Sequence, residues 1–116
     1  MKAIVINHYG GKEQLEEMEF PKPLPNDDQV VIEVHATSIN PIDWKVREGY
    51  LKEMLPFNFP IILGWDAAGV VTAVGENVKQ FQVGDKVYSR PATTEKGTYA
   101  EYIAVEENLV AKMPKN

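Results

Sequence analysis

A chain of 116 residues with 12 basic and 17 acidic side chains, a net charge of −5 and no cysteine has the length of one domain built on a single core. That charge gives no basic footprint for nucleic acid or an anionic membrane surface, so neither is expected as a partner. The lack of cysteine excludes disulfides, thiol nucleophiles and every Cys-based zinc site. Metal could then enter only through His8, His35 and carboxylates, and the two histidines share no ligand-like spacing. No apolar run approaches the ~20 residues that span a bilayer, and the start MKAIVINHYGG lacks the apolar stretch of a signal peptide, so a soluble cytoplasmic domain is expected.

In chain order, Ala3 to Ile6 reads as a strand that stops at the turn signal NHYGG, and LEEMEF reads as a second strand. Pro21, Pro23 and Pro25 cannot donate backbone hydrogen bonds, so PKPLPNDD is expected to be an exposed connector. QVVIEVHATS follows with the alternation of a half-buried strand. Val30, Ile32, Val34 and Ala36 fall on one face and Glu33, His35 and Thr37 on the other, which turns His35 to solvent or a neighbouring strand.

Asn40-Pro41 then predicts a helix start: the Asn side chain suits the cap, and proline suits the first helical position. Asp43 lies in the first turn, where it meets the positive end of the helix dipole, and Gly49 supplies the stop. After FPIILG, Gly64 permits a tight turn, Trp65 can fill a gap beside the sheet and Asp66 can bond to turn amides. DAAGVVTAVG ends at the turn GEN. FQVGDKVYS has a Gly-Asp pair of the kind that bounds hairpins, and GTYAEYIAV and NLVAKMP complete the strands. Many short strands between Gly, Pro and Asn signals predict a mainly β domain, barrel or sandwich, with one or two short helices.

The segments VVIEVHATSINPIDWKVREG, FPIILGWDAAGVVTAVGENVKQFQVGDKVY and GTYAEYIAV, in this order and spacing, resemble the N-terminal catalytic domain of the medium-chain dehydrogenase/reductase superfamily. The zinc-free quinone oxidoreductase-like and enoyl reductase-like branch is the nearest in pattern. The resemblance implies a GroES-like, partly open β-barrel that works beside a Rossmann domain holding NADP(H) or NAD(H), with the active site in the cleft between the two.

Zinc-dependent alcohol dehydrogenases carry Cys where Asn40 stands and Gly-His-Glu where this chain has Gly64-Trp65-Asp66. An amide is a weak zinc ligand and an indole has no available lone pair, so a zinc-free site is expected. By the resemblance Asn40 lies near the nicotinamide ribose, as the cofactor-binding candidate. Asp43, Tyr50 and Trp65 join it as residues lining the cleft, with no catalytic residue assigned. Without a Lewis acid the acceptor must be polarised by hydrogen bonds or already activated, as quinones and conjugated enones are.

The Gly-rich turn of a Rossmann half is missing: YGG and LGWDAAG lack the G-x-G-x-x-G spacing. Residues 1–116 are therefore expected to be the GroES-like domain alone, inactive in redox chemistry without its cofactor-binding half. A second class of function is a stand-alone binding or self-associating module without redox activity, in which an uncovered apolar cleft recruits a partner or a second copy.

Overall fold

In the computed structural model, which describes residues 1–114, eight strands build two antiparallel sheets. The first sheet has the order β2-β1-β4, formed by β1 (Lys2–Ile6), β2 (Glu16–Glu19) and the short β4 (Ile61–Ile62). The second has the order β7-β3-β5-β6-β8, formed by β3 (Gln29–Ala36), β5 (Ala67–Val74), β6 (Lys86–Ser89), β7 (Tyr102–Glu106) and β8 (Val110–Lys112). Helix α1 (Pro41–Arg47) and two 3-10 turns, Lys12–Gln14 and Glu107–Leu109, complete the regular structure. Neither sheet closes on itself. The architecture is the mainly β, partly open GroES-like arrangement that the sequence resemblance implied.

Val30, Ile32, Val71, Phe81, Val87, Ile103 and Val105 form the core of the five-stranded sheet. Full burial of each such side chain contributes about 1.5–3 kcal/mol before the entropy of ordering is counted. Strand β3 departs from the simple alternation at both ends. Val31 is buried as well as Val30 and Ile32, while Ala36 is exposed. β3 lies between β7 and β5, and its register against β5 slips at Val31/Ile32 and again at Val34/Ala36. The first slip leaves Thr72 of β5 as the extra residue and the second leaves His35 of β3, so the second turns Ala36 away from the face of Val34. His35 is exposed as expected, and its Nε2 lies 2.8 Å from Glu33 Oε1.

A second core lies under α1, where Ile6, Val46, Ile61, Leu63 and Trp65 are buried together. The helix begins and ends by local rules. Asn40 N–H donates to Asp43 Oδ2 at 2.8 Å, the return bond of a capping box. At the other end Gly49 takes φ +85°, with Gly49 N–H on Val46 O at 3.1 Å and Tyr50 N–H on Lys45 O at 3.0 Å. That pair of bonds is a Schellman stop.

Candidate functional site

At the N-terminal end of α1, three separated stretches of chain bring polar side chains together: Thr37 to Asp43, Gly64 to Asp66, and Thr98-Tyr99. The middle stretch is a turn that only glycine fits, for Gly64 has φ +90°, and a Cβ there would lie 2.5 Å from Tyr99 Cδ1 and 2.6 Å from Thr98 Oγ1. The absence of a side chain lets Thr98 N–H reach Gly64 O at 2.6 Å and Tyr99 N–H reach Leu63 O at 2.9 Å.

Asp66 sits at the end of this turn and gathers donors. It accepts Ser38 N–H at 2.8 Å on Oδ1 and Asn40 Nδ2 at 2.9 Å on Oδ2, while Thr37 Oγ1 donates to its carbonyl at 2.7 Å. Thr37 and Thr98 hydroxyls lie 2.9 Å apart. A carboxylate only accepts, so the atom that Asn40 turns toward Asp66 is its NH2 group, and the orientation of the amide follows.

Asp43 holds the other side of Asn40. It is 4% exposed, and its Oδ2 accepts both Asn40 N–H and the Tyr99 hydroxyl at 2.8 Å, whereas Oδ1 is buried without a hydrogen-bond partner among the described residues. Tyr99 is pushed well above the ordinary phenol value of 10.0, first by burial, then by its hydrogen bond to Asp43 and the charges of Asp43 and Asp66. The phenol therefore stays a donor at neutral pH. Beside the network lies a shallow groove of about 410 Å³ whose walls include Ile4, His35, Thr37, Thr98 and Tyr99.

Of the four residues singled out in the sequence, the structure joins two. Asn40 and Asp43 meet in the network just described. Trp65 does not line a cleft: it is 1% exposed, packs with Ile6, Val46, Ile61 and Leu63, and its Nε1 donates to Thr94 O at 2.9 Å. The gap-filling role proposed for it locally is the one it has, because the turn at Gly64 points the indole inward. Tyr50 lies past the other end of the seven-residue helix, about 10 Å of helix rise from the cap, and is 69% exposed against the Trp44 ring. Thr37, Thr98, Tyr99 and Asp66 were missing from the candidate set. Nothing local marks Tyr99, whose partner Asp43 is 56 positions away.

Among the described residues no group of three or more His, Cys, Asp or Glu side chains comes together as metal ligands, and no helix is long and apolar enough to cross a membrane. Fold and site define a mainly β, GroES-like domain with a polar network at the start of its helix. Residues 26–115 match the alcohol dehydrogenase GroES-like domain, and the chain belongs to that family.

The chloroplast envelope quinone oxidoreductase homolog of Arabidopsis thaliana is 40% identical over 116 residues, which cover 99% of this chain and 35% of that protein. The chloroplastic NADPH-dependent alkenal/one oxidoreductase of the same plant is 42% identical over 125 residues, covering 100% of this chain and 32% of that one. Among solved structures, the Escherichia coli quinone oxidoreductase complexed with NADPH superposes with a TM-score of 0.87 at 30% identity, over 98% of this chain and 33% of that one. The chain thus spans about a third of the length of these relatives.

Proposed function

We propose that this domain is the substrate side of a zinc-independent NAD(P)H-dependent oxidoreductase that reduces quinones or conjugated enones and carbonyls by hydride transfer, together with a Rossmann-type cofactor domain. The observation that carries this reading is the Asn40 amide, clamped through its NH2 by Asp66 and through its backbone by Asp43. Clamped in this way, the amide keeps one N–H and carbonyl lone-pair capacity for a ligand, which suits the hydroxyls of a ribose or a carboxamide. The nicotinamide cofactor supplies the hydride when bound. This chain's part is to fix the amide, to keep Tyr99 protonated behind it and to present the wall of the groove. Exposed Ile39, Trp44 and Tyr50 beside α1 supply apolar surface for the neighbouring domain or for a flat acceptor.

Independence from zinc is supported by the chemistry of two positions. Asn40 offers an amide already bonded to a carboxylate, and the Trp65 indole is a donor turned into the core. The quinone and enone classes follow the names of the relatives, two of which name NADPH as the cofactor.

The test is a chimera in which this chain replaces the matching third of the E. coli enzyme. It is expected to oxidise NADPH with 1,4-benzoquinone, to retain no stoichiometric zinc on elemental analysis, and to show a KM for NADPH raised about tenfold by Asn40→Ala. A folded chimera that binds NADPH but reduces neither quinones nor enones, or that holds one zinc per chain at the Asn40 end of α1, would overturn the proposal.

A further inference from the structure

Asp43 and Asp66 bring two carboxylates to Asn40, and neither has a cationic partner among the described residues. Asp66 is held by Ser38 N–H at 2.8 Å and Asn40 Nδ2 at 2.9 Å, both neutral donors. Asp43 is held by Asn40 N–H and the Tyr99 hydroxyl, each at 2.8 Å, and its Oδ1 is buried without a partner among the described residues. Neutral donors orient a carboxylate but leave its charge uncancelled.

The basic side chains of the neighbouring elements are engaged elsewhere. Lys45 Nζ lies over the Trp44 ring, 6.0 Å from its centroid. Arg47 donates from Nε to Gly10 O at 3.2 Å, and its Nη2 lies 3.8 Å from Glu48 Oε1. On the side of the groove, His35 Nε2 is on Glu33 Oε1 and Lys2 Nζ is 3.8 Å from Glu17 Oε1. The two carboxylates are felt together at the phenol beside them. Tyr99 is raised first by burial, then by its bond to Asp43, then by the charges of Asp43 and Asp66, with Arg47 the least of the causes. A carboxylate as buried as Asp43 costs stability when no counterion offsets its desolvation. An Asn at either position would keep a hydrogen-bond acceptor without that cost. Charge at both positions points to a positive partner outside these residues.

We infer that the Asn40 site favours a cationic heteroaromatic ring, the pyridinium form of a nicotinamide, over the neutral dihydropyridine form. This rests on the placement of the nicotinamide beside Asn40 in the proposed function. A nicotinamide is neutral when reduced and carries one positive charge once its hydride has passed to an acceptor carbon, which leaves the acceptor to take a proton from solvent. Asp43 and Asp66 stabilise the positive form and act little on the neutral one, so they ease the loss of the hydride. Asn40 orients the ring, and the carboxylates behind it decide which form is held more tightly. Ile39, 87% exposed next to Asn40 in the chain, adds apolar surface for a flat ring.

The test uses the 116-residue chain and two probes of similar shape, cationic 1-methylnicotinamide and neutral nicotinamide. Each is titrated at equal ionic strength and followed by the amide NMR signals of Ser38, Asn40 and Thr98. The cation is expected to bind about tenfold more tightly. Asp66→Asn, which keeps an acceptor for Ser38, should bring the two within about threefold, whereas Asp66→Glu, which keeps the charge, should retain the preference. Asp43→Asn carries the same expectation as Asp66→Asn and serves if that variant does not fold. Glu76→Gln removes a charge from the turn past the far end of β5 and should change nothing, which separates a local field from net charge. In the chimera with the E. coli enzyme, Asp66→Asn should raise the Kd of NADP+ about tenfold relative to that of NADPH, where a purely structural role would weaken both alike. Equal affinity for the two probes, or a preference that survives both Asn variants, overturns the inference and leaves the proposed function standing. No shift at Asn40 with either probe, together with a chimera that binds neither dinucleotide, removes the placement of the nicotinamide and the inference with it.

Discussion

Tyr99→Phe isolates the hydrogen bond on which the site's geometry rests. The ring stays in place between two core clusters, so packing changes little, but Asp43 loses one of the two donors on Oδ2. Its Oδ1 has no partner among the described residues to share the load, and the residue is 4% exposed, so water cannot replace the phenol freely. A hydrogen bond to a charged group of this kind contributes about 1.5–3 kcal/mol. For a domain of this size each kcal/mol moves the melting midpoint by about 4 °C, so the variant should melt about 6–12 °C lower. Urea titration followed by tryptophan fluorescence measures the loss of free energy, with an unchanged m-value as the sign that only stability moved, and a thermal melt measures the shift in midpoint.

Alkaline pH gives an independent arm. The folded-state pKa of Tyr99 is raised above the unfolded value of 10.0, so its contribution is complete below pH 10 and is lost as pH climbs from there toward the higher folded value. The gap between the native chain and Tyr99→Phe should narrow over that interval. Tyr102 is also raised, chiefly by desolvation, but it titrates in both proteins and cancels in the difference. A loss below about 0.5 kcal/mol, or strict additivity of Tyr99→Phe with Asp43→Asn in a double-mutant cycle, would refute the assigned bond.

Two further substitutions probe the frame around it. Gly64→Ala combines a left-handed backbone position with a Cβ 2.5 Å from the Tyr99 ring, and should cost about 2–5 kcal/mol in urea titration. Trp65→Ala empties the core under α1 and leaves Thr94 O without its indole donor, which should cost about 3–5 kcal/mol, while Trp44→Ala, at a 42% exposed ring, stays within about 1 kcal/mol of the parent.

What the sequence disclosed divides along the distance between partners. Asn40, Pro41, Asp43 and Gly49 act on neighbours within one turn, and the helix they bound is where they place it. The strands of the five-stranded sheet were legible because alternation and turn residues act over a few positions. Trp65 was not, since a Gly-Trp-Asp turn looks the same whether the indole turns toward a cleft or into a core. The deciding bond runs from Trp65 to Thr94 across 29 positions. Ala36 leaves the face of Val34 because His35 is an extra residue in β3 against β5, a slip set by the partner strand and not by its own neighbours. Tyr99 stood in plain view within GTYAEY, but its role comes from Asp43, which the fold alone brings to it.

Those long-range bonds explain why the same residues matter for stability and for the proposed chemistry. Asn40 is reached from two directions: by Asp66 on the segment that leads into β5, and through Asp43 by Tyr99 on the segment that leads into β7. Tyr99 also packs against both the core under α1 and the cluster of Ala3, Val5 and Ile62 in the smaller sheet. The position of one amide therefore depends on how the two sheets and the helix sit together, and a change at Tyr99 shifts it without touching any ligand. An error of about 1 Å in such a placement costs roughly a hundredfold in rate. Rigid support of Asn40 from both sheets is the physical requirement, and a buried carboxylate with one empty oxygen is the cost the fold bears to meet it.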